Sequence, residues 1–223
     1  MNFIDSLFDN LRKIISGKNR KRVYSCVLLL YCGLHLATTV FHEPWYDEAE
    51  AWQIARCASV KDILFTIPHY EGHPPLWHLI LAIPAKLNLP YELSLSLISL
   101  LFSALAVALF LKYAPFPKWV KVFVPFTYFA FYQYSVIARP YCMMMLAFVL
   151  MAITWQGRNT KPIEFVLSMA FLCLTSSYGI IIAGGISLVW LFGIIKEDGT
   201  KFLKDRRTHT LIGLLILAVF LMA

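Results

Sequence analysis

Pro74-Pro-Leu-Trp-His-Leu-Ile-Leu-Ala-Ile-Pro-Ala-Lys-Leu87 is the stretch on which the threading of this chain turns. It is apolar, but its 14 residues make a helix only ~21 Å long, and Pro84 interrupts it. The hydrocarbon core of a bilayer is ~30 Å thick. If the stretch crosses, every later loop changes sides. If it lies along the interface, the spans run near 23–41, 91–111, 120–138, 140–156, 162–177, 179–195 and from 209 onward. That describes an all-α polytopic membrane protein of about seven transmembrane helices. Residues 42–90 then form the first outer loop, carrying two interfacial helices.

Charge chooses between the two threadings. With 74–87 interfacial, the cytoplasmic segments hold Arg12, Lys13, Lys18, Arg20, Lys21 and Arg22, then Lys112, Lys118 and Lys121. They also hold Arg158 and Lys161, and finally Lys196, Lys201, Lys204, Arg206 and Arg207. That is sixteen of the twenty Lys and Arg, leaving Arg56, Lys61, Lys86 and Arg139 outside. If the segment crossed, the three later patches would all move out. The positive-inside rule therefore selects the interfacial threading, with the N-terminus in the cytoplasm.

Composition agrees with this class. Of 223 residues, 59% are hydrophobic and 15% charged, so the whole chain reads as one membrane module with no separate soluble domain. The net charge of +7 sits in short patches between spans, which is topology information and not a nucleic-acid footprint. The basic N-terminus and the apolar run Val23–Phe41 resemble a signal peptide. The run is too long for a signal core and no small-x-small site follows, so it reads as a retained first span. Of Cys26, Cys32, Cys57, Cys142 and Cys173, only Cys57 lies clearly outside a span, and no disulfide framework or metal-ligand spacing appears. Leu211–Ala223 is apolar to the final residue, which gives the expectation that the chain is the N-terminal part of something longer.

The outer loop carries the chemistry. Glu43-Pro-Trp-Tyr-Asp47-Glu48-Ala-Glu50 packs three carboxylates into four residues where the chain leaves the bilayer. Asp47 and Glu50 have the spacing of a capping box, and Ala51, Ile54, Ala55 and Ala58 fall on one face of the helix it opens, opposite Gln53 and Arg56. One cap needs one acceptor, so the remaining carboxylates call for cations, a metal or a substrate. Further on, Gly72-His73-Pro74-Pro75 is a rigid turn that leaves His73 at a helix entry, where an anion is favoured. His69-x-Glu71-x-His73 has a zinc-like spacing, but the prolines that follow break any continuous ligand face. In Tyr134-Ser-Val-Ile-Ala-Arg139-Pro140-Tyr141, Pro140 ends one span and begins the next. Arg139 falls on the outer side with Asp47, offering a forked, permanently charged partner for phosphate. The aromatic run Tyr128, Phe129, Phe131, Tyr132 and Tyr134 reads as an interface belt.

This order of features resembles the GT-C superfamily of membrane glycosyltransferases. It comprises a first span, an acidic outer loop, His73-Pro74-Pro75-Leu76-Trp77, two spans and then Arg139-Pro140-Tyr141. The likeness is especially to bacterial members related to protein O-mannosyltransferases and the lipid A aminoarabinose transferase. It extends to Leu174-Thr-Ser-Ser-Tyr178-Gly179, similar to the family's polar break between its fifth and sixth spans. The resemblance implies inverting transfer of a sugar from a polyprenyl-phosphate donor to an acceptor at the outer face. It implies that Asp47, with Glu48 beside it, is catalytic base or ligand of a divalent cation, and that Arg139 and Tyr141 contact the donor phosphate. Family members often have a lysine facing that phosphate where this chain has His73, and they usually have more spans and often a C-terminal domain.

The residues suit such a reaction. Transfer needs a base for the acceptor hydroxyl and positive charge on the departing phosphate, supplied by Arg139, His73 or a cation. The apolar residues of 74–87 and the aromatic run would bound a groove for the prenyl chain. Two other classes remain in view. A transporter or flippase should carry polar residues near the middle of its spans, and these spans read as almost free of them. A non-catalytic scaffold or assembly subunit would account for the short chain.

Overall fold

A computed structural model describes residues 20–70 and 73–222. Every regular element among them is helical. Helix α1 spans Arg20–Thr39, and four short helices follow: α2 (Tyr46–Cys57), α3 (Val60–Phe65), α4 (Ile67–Tyr70) and α5 (Leu76–Lys86). After them come α6 (Tyr91–Tyr113), α7 (Lys118–Phe123), a 3₁₀ turn at Val124–Phe126 and a π-helix at Phe129–Val136. The remainder is α8 (Tyr141–Thr154), α9 (Pro162–Cys173), α10 (Ser177–Asp198) and α11 (Arg206–Met222), with 3₁₀ turns before α9 and α11.

Two of the described helices are long and apolar enough to cross a membrane, Tyr91–Tyr113 and Ser177–Glu197. The other expected spans take different forms. Helix α1 opens on Arg20, Lys21 and Arg22. Helices α8 and α9 have 14 and 12 residues, about 21 and 18 Å at 1.5 Å per residue. The expected continuous helix over 120–138 is broken into three pieces. Pro125 has no N–H to donate, and Thr127 turns extended at φ −69°, ψ 155°. The chain restarts as a π-helix, in which the Ile137 N–H donates to the Tyr132 carbonyl five residues back (3.0 Å).

The loop between α1 and α6 is built as a unit. Helix α2 buries Ala51, Trp52 and Ala55 and α5 buries Trp77, Leu81, Ala82 and Ala85, in one cluster with Ile63, Leu95, Ala138 and Cys142. Lys86 Nζ donates to the Ala58 carbonyl (2.7 Å), tying the C-terminal ends of α5 and α2 together. Asn88 adopts φ 55°, a left-handed position that Asn tolerates. The Leu89 N–H then donates to the Pro84 carbonyl (3.0 Å), so α5 stops after 11 residues. At about 16 Å, α5 is too short to cross a hydrocarbon core.

Polarity is arranged inside out along α6. Leu93, Leu97, Leu101 and Leu105, four residues apart on one face, are 46–64% exposed, while Ser96, Ser99 and Ser103 are buried on another. The serines meet His35 of α1 and Ser135 of the π-helix. His35 Nδ1 lies 2.8 Å from Ser135 Oγ, and its Nε2 lies 3.2 Å from the Ser96 carbonyl. Ser135 Oγ donates to Ser103 Oγ (2.8 Å), and Ser99 Oγ donates to the Ser135 carbonyl. The expectation of spans almost free of polar residues is thus corrected. Each of these polar groups has a partner, and the network joins three helices.

Candidate functional site

The acidic loop reaches its final form through Glu48, not Glu50. Helix α2 begins two residues earlier than the expected capping box, so Glu48 occupies its third position. Its Oε2 accepts from the Trp45 N–H (2.8 Å), with His42 Nε2 3.0 Å from the same oxygen. Its Oε1 accepts from the Ala138 N–H (2.7 Å). With both oxygens engaged, Glu48 is 1% exposed. It therefore fastens the N-terminus of α2 to the residue before Arg139, about 90 positions away in the chain.

That fastening places Asp47 beside Arg139. Asp47 Oδ2 lies 2.6 Å from Arg139 Nη1, and the two side chains are 45% and 22% exposed. Pro140 caps α8 and sets Tyr141 at its first position, where the Arg139 guanidinium lies 5.3 Å from the ring centroid. Asp47, Glu50 and Ala51 line one side of a pocket of about 350 Å³; His73, Pro74, Trp77 and His78 line another, and Arg139 and Pro140 close it. Its size lies at the lower end of the ~300–1,000 Å³ typical of small-molecule sites.

The two pocket histidines are held toward neutrality. Burial lowers the pKa of His73, Arg139 lowers it further, and Asp47 and Glu50 only partly oppose this. Its Nδ1 is buried without a hydrogen-bond partner among the described residues. Burial, with His73 nearby, brings His78 down to about 4. Arg139 is thus the cation of the pocket lining, and His73 offers a neutral ring.

Of the sequence-derived site residues, Asp47, His73 and Arg139 meet at the pocket, and the Tyr141 ring lies against the Arg139 guanidinium. Glu48 is turned away into its three contacts. Glu50, which the sequence offers only as a clustered carboxylate, also lines the pocket, with Trp77 and His78, to which the sequence assigns no site role. Their signal was the spacing, since Glu50 and Ala51 lie three and four residues after Asp47 on α2 and Trp77 and His78 lie three and four residues after Pro74. Among the described residues no group of three or more His, Cys, Asp or Glu side chains is placed to hold a metal ion. The pair Asp47 and Glu48 does not fit a divalent cation, because Glu48 gives both oxygens to the protein. In the zinc-like spacing, Glu71 and the His69 side chain lie outside the described residues. Comparisons with protein-family models, curated proteins and solved structures found no match.

Proposed function

We propose that this chain is a polytopic integral membrane glycosyltransferase of the GT-C kind, transferring a sugar from a polyprenyl-phosphate donor to an acceptor at the extracytoplasmic face. The observation that carries the reading is the pocket in which Asp47 and Arg139, remote in sequence, stand 2.6 Å apart. A carboxylate and a fixed guanidinium are what this transfer asks of a protein, the first for the acceptor proton and the second for the leaving phosphate. The membrane setting is supported by the exposed leucine face of α6 over buried serines, which suits lipid and not water. In this threading the N-terminus is cytoplasmic, and α2 to α5 lie along the outer interface.

Asp47 takes the proton of the acceptor hydroxyl as its oxygen attacks the anomeric carbon from the face opposite the phosphate. The new C–O bond forms while the bond to the phosphate oxygen breaks, and the phosphate leaves with that electron pair. Arg139, steadied by Tyr141, takes up the charge that develops there. A neutral His73 contributes a hydrogen bond and not a charge. Glu48 sets the distance between the two ends of the reaction by holding α2 against Ala138.

The test is to reconstitute the protein in liposomes with a panel of polyprenyl-phosphate sugars and sugar acceptors and to measure release of the polyprenyl phosphate. Acceptor-dependent release with one donor is the expected outcome. No release with any donor, from protein shown to be folded, contradicts the proposal.

A further inference from the structure

The same ion pair that identifies the pocket also blocks it. One Asp47 oxygen is engaged by Arg139 at 2.6 Å, so the carboxylate is held by the cation that the leaving phosphate requires. We propose that the Asp47–Arg139 pair is a latch opened by the phosphate group of the lipid. The phosphate takes the guanidinium, and only then is the carboxylate released toward an acceptor hydroxyl. This rests on reading the pocket as a lipid-phosphate transferase site.

Three features make the exchange feasible. With side chains 45% and 22% exposed, the pair is of a strength that changes an equilibrium by about five-fold or less. The donor's phosphodiester matches the carboxylate in charge and free oxygens and fits the guanidinium fork equally well, and the phosphate monoester released as product brings more of both. Arg139 also keeps its place when Asp47 lets go. Its backbone neighbour Ala138 is held by Glu48 (2.7 Å) and its guanidinium rests against Tyr141. The carboxylate moves and the cation stays. Binding is then ordered, phosphate lipid first and acceptor second.

The prediction runs against the usual effect of mutating a site residue. Asp47→Asn removes the competitor for Arg139 and should tighten binding of farnesyl phosphate to the detergent-purified protein by about 2- to 5-fold. Glu50→Gln removes a pocket charge of the same sign and should tighten it less. The decisive comparison is a double-mutant cycle. In an Arg139→Ala background the gain from Asp47→Asn should disappear. A gain that persists there is plain repulsion of the anion, and it overturns the latch while leaving the phosphate site standing. Unchanged or weaker binding by Asp47→Asn, with Arg139→Ala also weak, overturns it in the same way. Asp47→Ala supplies the same cycle should Asp47→Asn not fold. Inorganic phosphate is the second probe, expected to bind more weakly with the same pattern; if it binds more tightly than farnesyl phosphate, the lipid assignment falls. Wild-type protein that binds neither probe removes the phosphate site and the latch together.

Discussion

Asp47 and Glu48 are chain neighbours with the same functional group in opposite surroundings. Asp47 faces the pocket, half exposed, while Glu48 is enclosed by the backbone N–H groups of Trp45 and Ala138 and by His42. Glu48→Gln replaces one acceptor oxygen by an NH₂ that confronts an N–H donor. It should lower stability by about 1–3 kcal/mol, read as an earlier thermal transition in detergent, whereas Glu50→Gln should leave the transition nearly in place. Equal melting of the two variants would remove the fastening role from Glu48. At Arg139 the fork itself is at issue. Arg139→Lys keeps the charge but should weaken binding of a phosphate lipid by on the order of 10-fold; equal affinity would make Arg139 a simple headgroup anchor. His78 supplies a pH signature. Its folded pKa of about 4 lies below the ordinary 6.5, so the unfolded chain binds the proton first. The His78 contribution is complete above pH 6.5, is lost as pH falls toward 4, and levels off below. The full loss is about 3 kcal/mol. Denaturation midpoints at pH 7 and 4.5 should diverge more for the wild type than for His78→Leu, and parallel shifts would contradict the assignment.

At the scale of elements, much of the loop was legible. Pro74 and Pro75 announce the start of α5, the run 74–87 folds as a short helix of 11 residues as its length implied, and Pro140 separates the π-helix from α8 for the reason read in the sequence. The capping register was not legible, since Asp47 and Glu48 both precede apolar positions and only the contact to Ala138, far along the chain, selects Glu48. The π-helix was invisible for a related reason. Its apolar and aromatic residues suit an ordinary helix, and the shift to five-residue hydrogen bonding is fixed by Pro125 together with packing against α1 and α6. Ser96, Ser99 and Ser103 did carry a signal, a three- and seven-residue spacing on one helical face, but it was masked by the leucines between them. Gly179 is a further case. A Cβ there would overlap the Leu172 carbonyl, so the Thr175–Gly179 break closes only around a glycine. For the threading itself, single cysteines at positions 118, 158 and 204, in a background without native cysteines, should resist a membrane-impermeant reagent applied from outside. Labelling at 118 or 204 would reverse the topology.

At the scale of the whole molecule, the exposed apolar faces and the buried serine–histidine network point the same way. α6 and α10 are the described helices able to cross a membrane by length and composition. Their outward faces are apolar at Leu97 and Leu101 and at Val189 and Phe192, while the buried side of α6 holds serines bound to His35 and Ser135. Against that body the loop helices α2 and α5 form a small cap over Ala138 and Cys142, with the pocket at its edge. The arrangement sets a polar pocket at the edge of a body with exposed apolar faces, as the proposed lipid-linked substrate would require. The most direct measurement is acceptor-dependent release of polyprenyl phosphate in liposomes, comparing wild type with Asp47→Asn at matched amounts of folded protein. Loss of the carboxylate should lower turnover by on the order of 100-fold or more while phosphate-lipid binding tightens. Release by Asp47→Asn at close to the wild-type rate would contradict the claim that this pocket carries out the transfer.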